Sequence, residues 1–176
     1  AALACAPTVF AQALNTALNE TVEMVALPGT SVTLETTIYK PDGAGPFPVV
    51  VINHARHAGE PKEQERFRPA TAARYFLQRG YAVVVPMRQG LSRSSGWYVG
   101  RGCDVERNAR NQAEDVLGVL AALSSNAWMD KSRILTVGHS HGGLTSLAVG
   151  AASSPGLRGI VNFAGGTRNP ECPVWQ

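Results

Sequence analysis

The sequence predicts an α/β domain built on a mostly parallel sheet. Three features predict it: short continuous apolar runs, helical stretches that alternate with them, and Gly or Pro at most of the junctions. The runs Val49-Val-Val-Ile52 and Tyr81-Ala-Val-Val-Val85 carry almost nothing that would turn toward water, as expected of strands covered on both faces. With 176 residues, 44% of them hydrophobic, the chain suits one domain with a sizeable core.

Taken in order, residues 21–27 and 32–39 alternate in the strand manner, with Pro28-Gly29 as the turn between them. Residues 41–46 read as a loop, and Val49–Ile52 as the first buried strand. Residues 70–78 read as a helix stopped by Gly80, and 81–85 as a strand ended by Pro86. Ala113, Val116, Leu117, Leu120 and Leu123 mark one face of a longer helix. Residues 133–137 are the next strand, 144–152 the next helix and 157–163 a last strand. No repeat, low-complexity tract or second domain is visible.

The net charge of +3 and its scattered Lys and Arg point to a solvated basic face and argue against a nucleic-acid partner. No run beyond the N-terminus is long enough to span a bilayer. The apolar, small-residue start through Val9-Phe10-Ala11 fits the tail of a signal peptide, which makes residues 1–11 a residual signal peptide and predicts a secreted or periplasmic protein. A lipoprotein start at Cys5 fits less well. Setting Cys5 aside leaves Cys103 and Cys172, an even pair that an oxidising compartment would bond.

Gly138-His-Ser140-His-Gly142 satisfies G-x-S-x-G. The pattern is common by itself, but here an apolar strand precedes it and a helix-forming stretch follows, the strand–turn–helix setting in which a serine nucleophile is presented. Ser140 is the candidate nucleophile. Glycines at 138 and 142 suit a turn too crowded for side chains, and the helix N-terminus behind Ser140 favours developing negative charge. The loop Asn53-His54-Ala55-Arg56-His57 follows the first buried strand. Hydrolases that present a serine on such an elbow often carry a His-Gly pair at this point; here Ala55 stands in the glycine place, and that resemblance implies the amides of Arg56 and His141 as candidate oxyanion donors. His54 is a candidate pocket residue.

The ordered segments Phe47–His54, Gly80–Arg88, Trp128–Ile134, Gly138–Gly143 and Gly159–Gly166 together resemble the dienelactone-hydrolase-like branch of the α/β hydrolases, related to prolyl-oligopeptidase-type catalytic domains. The resemblance covers about residues 20–170 and makes 12–176 a partial α/β-hydrolase domain. It implies a serine hydrolase of esters or lactones, with acyl-peptide or prolyl-type peptidase activity as the alternative. Residues 88–96 look like the family's glycine-rich loop, with Gln89 where a second glycine is usual. That loop would bring Trp97 and Tyr98 to a pocket. The family's triad order is Ser, acid, His. After Ser140 the chain contains no Asp, and its only histidine is His141, whose ring should aim away from the hydroxyl. The acid and base are therefore expected beyond residue 176, with the C-terminal strands. Glu171 is a weaker candidate acid, and Asp104 and Asp115 read as structural. The 176-residue piece is expected to turn over little, and its last strand to be an apolar sheet edge.

All four histidines fall at the ends of two strands that should be neighbours, yet no Asp or Cys completes a ligand set, so neither metal nor cofactor is expected. The expected partner is a small ester or acyl substrate. A non-catalytic binding protein on the same scaffold is the remaining alternative.

Overall fold

The computed structural model describes residues 12–57, 59–100, 102–167 and 172. The residual signal peptide and Glu171 lie outside the described residues. Strands β1 (Glu20–Ala26) and β2 (Thr33–Tyr39) form an antiparallel hairpin in which Glu20 faces Tyr39 and Ala26 faces Thr33. Then come β3 (Phe47–Asn53), helix α1 (Ala70–Leu77), β4 (Ala82–Pro86), α2 (Val105–Leu123), β5 (Met129–His139), α3 (His141–Ala151) and β6 (Leu157–Phe163). One six-stranded sheet results, in the order β1-β2-β4-β3-β5-β6. β2 meets β4 antiparallel, and β4, β3, β5 and β6 run parallel.

The continuous apolar runs are explained by the two-residue strand period. Along β3, Val49 and Val51 face a core shared with Val116 and Leu120 of α2. Val50 and Ile52 face the opposite core, which holds Ala73 of α1. β4 divides in the same way, with Val84 on the first side and Val83 and Val85 on the second. Asp104 caps α2 by accepting a hydrogen bond from the Arg107 amide at 3.0 Å. At the far edge β6 pairs, among the described residues, with β5 alone, and Ile160, Val161 and Phe163 are exposed.

Two features depart from the sequence reading. Helix α3 begins at His141 rather than Leu144, because Gly142 and Gly143 form its first turn despite their poor helix propensity. The basic residues are not all solvated either. Arg66 lies buried with Glu20, donating at 2.7 Å from Nη1 to Oε1, and to Thr37 Oγ1 at 2.8 Å. Arg68 donates to both oxygens of Glu20, and Arg93 holds buried Glu35 at 2.8 Å. The Glu20 pairs fasten the connection between β3 and α1 to the hairpin, and Arg93–Glu35 fastens the loop after β4 to it. Periodicity could not reveal them, since each pair joins residues far apart in the chain.

Burial pushes the Glu20 carboxyl up, but hydrogen bonds from Arg68, Arg66 and the Asn15 amide outweigh it and hold the pKa at about 2, below an ordinary value of 4.5. A carboxylate depressed on folding stabilises the fold above the unfolded value, and the contribution is lost as pH falls through the folded one. Urea midpoints should therefore fall between pH 4.5 and about 2. Glu20→Gln, which strands two guanidinium groups, should cost about 3 kcal/mol at pH 7 and flatten that acid limb.

Candidate active site

The site lies where β3 and β5 end side by side, with Asn53 opposite Gly138. Ser140 follows β5 directly, with φ 53° and ψ −121°, a left-handed conformation strained for any residue with a Cβ. Its backbone is fixed from both directions. The Ser140 amide donates to Phe163 O at 2.8 Å, and Ser140 O accepts from the Gly143 amide at 2.8 Å. A Cβ at 138 would lie 2.0 Å from Gly142 O, and one at 142 would lie 2.0 Å from Asn53 O. Both positions are closed to every other residue. Gly143 is equally restricted, since a Cβ there would meet Asn162 Oδ1 at 2.2 Å. The motif alone did not assign that role.

Beneath the elbow, Asn53 Nδ2 donates to Thr136 Oγ1 and to Ser146 Oγ, each at 2.9 Å, and so ties β3 to β5 and α3. Above it Ser140 is exposed, and its hydroxyl has no hydrogen-bond partner among the described residues. Ser140 shares a cavity of about 200 Å³ with Arg56, Asn108, His141 and Leu144. The two candidate oxyanion residues thus lie in one cavity with Ser140.

The His141 ring turns toward α2, where its Nε2 sits 3.3 Å from Gln112 Nε2. Buried Gln112 is itself held by Thr145 Oγ1 at 3.0 Å and by Asn108 O at 3.0 Å. Gln112 must donate to His141, so Nε2 accepts and the ring is neutral. Burial, then the Arg88 and Arg56 cations, push its pKa down to about 4. It is a poor base for Ser140.

Residues 29–169 match the X-Pro dipeptidyl-peptidase family (S15 family). The chain belongs to this family. Among solved structures it is similar to Porphyromonas gingivalis dipeptidyl peptidase 4 (19% identity, TM-score 0.65, covering 83% of this chain and 20% of that one). It is also similar to Pyrococcus horikoshii acylaminoacyl peptidase (20%, 0.63, 83% and 23%). A third is a dienelactone hydrolase-like promiscuous phosphotriesterase from metagenomic libraries (19%, 0.62, 84% and 60%). The fold is that of the α/β hydrolases, as the motifs implied. The chain spans only a fifth to three fifths of these relatives' lengths. No curated protein matches it.

Within this S15-family chain, three expected pocket residues lie elsewhere. The His54 side chain is fully buried and does not line the cavity; Nη1 of buried Arg88 donates to its carbonyl at 2.9 Å, and Nη2 sits 3.2 Å from its Nδ1. Burial and the Arg88 charge push the His54 ring well below the usual histidine range. Trp97 projects into solvent, 87% exposed. Tyr98 packs along its own loop, where Gly90 and Gly100 leave room for it, and neither aromatic lines the cavity. Gln89 has taken a new role in place of the usual glycine. Its amide and its Nε2 donate to buried Asp115 at 2.9 and 2.6 Å, giving that carboxylate a structural task.

Cys103 and Cys172 are bonded, with Cα atoms 5.5 Å apart. The bond joins the approach to α2 to the segment after β6 and closes a loop of 69 residues, a restriction of the unfolded chain worth about 4 kcal/mol in the chain-entropy account. Among the described residues no three His, Cys, Asp or Glu side chains are grouped to hold a metal, and no helix is long and apolar enough to cross a membrane.

The strain at Ser140 predicts that Ser140→Gly raises stability by about 1 kcal/mol, measured by urea unfolding. Gly142→Ala should lower it by about 3 kcal/mol or prevent folding, because backbone occupies the space. An NMR titration should find the His141 ring neutral from pH 8 down to pH 5 and protonating only near pH 4.

Proposed function

We propose that this chain carries the nucleophile and oxyanion half of a serine hydrolase that cleaves carboxylic esters, lactones or related acyl bonds through a Ser140 acyl-enzyme. The observation that carries the reading is the conformation of Ser140. A strained serine, exposed at a strand end and opening an 11-residue helix, has no structural task that glycine would not perform better. Its hydroxyl would attack the carbonyl carbon. The amides of His141 and Arg56 would receive the developing oxyanion, and the leaving group would depart with a proton.

The proton taken from Ser140 needs an acceptor. His141 is engaged by Gln112 and hard to protonate, so the general base and its acid are assigned to none of the described residues. Family membership favours a second reading, peptide-bond cleavage, because acyl-enzyme chemistry serves esters and amides alike. Ester cleavage is placed first because the cation Arg56 lines the cavity and would repel the ammonium of a free peptide N-terminus. Export belongs to the same proposal and is supported by the disulfide, which suits an oxidising compartment.

Protein expressed from the full coding sequence should hydrolyse p-nitrophenyl acetate and be labelled by a fluorophosphonate at Ser140. Ser140→Ala should lower kcat by about a thousandfold or more without unfolding the protein. Turnover that survives this change would overturn the assignment. The 176-residue chain alone should show little rate above background.

A further inference from the structure

Six arginine side chains among the described residues are committed to carboxylates. Arg66, Arg68, Arg93, Arg107, Arg110 and Arg133 each form an ion pair. Arg56 is different. It is exposed, pairs with no carboxylate among the described residues, and lines the same cavity as Ser140. Among the described residues lining that cavity it is the one full charge, and none of them is Asp or Glu. A second cation, Arg88, is buried behind the loop that carries Arg56. Both lie near enough to His141 to oppose its protonation, so their fields overlap at the elbow.

We infer that Arg56 makes the Ser140 cavity a receptor for acyl groups that end in a carboxylate, such as hemisuccinyl esters. The inference rests on the reading of Ser140 as the nucleophile. It adds a substrate class: short dicarboxylic half-esters rather than neutral or amine-bearing ones. A guanidinium is the side chain best shaped to grip a carboxylate with two parallel hydrogen bonds. The uncommitted position of Arg56, open to solvent on one side, lets it meet the substrate's anion while the scissile carbonyl sits at Ser140.

The test is an NMR titration of the Ser140→Ala chain, which binds without turnover, with methyl hydrogen succinate, dimethyl succinate and methyl 4-aminobutyrate. The monoanion should bind about fivefold or more tightly than the neutral diester, and the cation most weakly. Arg56→Gln should erase the preference, Arg56→Lys should keep part of it, and added salt should weaken it. Equal affinities, no binding of the monoanion, or a preference that survives Arg56→Gln would each overturn the inference. Fluorophosphonate labelling of protein from the full coding sequence separates the two readings. Labelling at Ser140 without an anion preference removes the inference alone. An anion preference without labelling removes the hydrolase reading and leaves the anion site standing.

Discussion

The crowding of backbone at the junction of β5 and α3 governs the rest of this structure. For a serine to stand clear of the sheet at φ 53°, the helix must start at once behind it, and its first turn must press against the ends of β3 and β5. Such contact is possible only where Cβ atoms are missing, hence glycine at 138, 142 and 143. The Asn53–Thr136–Ser146 hydrogen bonds hold the strands in the register this approach needs. The valine-rich strands on either side supply a rigid base against which the strain can be held.

Buried charge fastens the rest of the fold. Glu20, Glu35 and Arg66 lie inside with ion-pair partners that offset the loss of water, while buried Arg88 is held through the His54 carbonyl and keeps an unpartnered Nε among the described residues. The Glu20 cluster secures the path from β3 to α1, the same connection that begins with the loop bearing Arg56. Arg88 works at closer range. It grips the His54 carbonyl and so fixes the loop from below, while its charge helps keep both nearby imidazoles neutral. Burial depresses Arg88 only to about 10, so it stays a cation at neutral pH.

Much of the fold could be read directly from the chain. The valine runs, the Gly and Pro punctuation and the apolar face of α2 are local signals and gave the elements in their observed order, although β5 opens at Met129 rather than at residue 133 and α2 at Val105, before its apolar face begins. Ser140 and the glycines at 138 and 142 were legible because their motif compresses a steric requirement into five adjacent residues. Other residues lie away from the Ser140 cavity for a common reason. His54 looks like a pocket residue and Trp97 and Tyr98 like a pocket wall, but a side chain's direction depends on what packs over it. Arg88 does that for His54, and the loop glycines do it for Tyr98.

The sequence by itself therefore determined the α/β class, the succession of strands and helices, the elbow and the even cysteine pair, because each is written in neighbouring residues or in simple counting. Only the tertiary structure decided that β4 lies between β2 and β3, that Arg66 belongs to Glu20, and that the His141 ring belongs to Gln112. It likewise decided that Arg56 reaches the Ser140 cavity with no carboxylate partner among the described residues. Those outcomes depend on contacts between segments far apart in the chain. Steric fit and desolvation settle such contacts only after the sheet has brought the segments together.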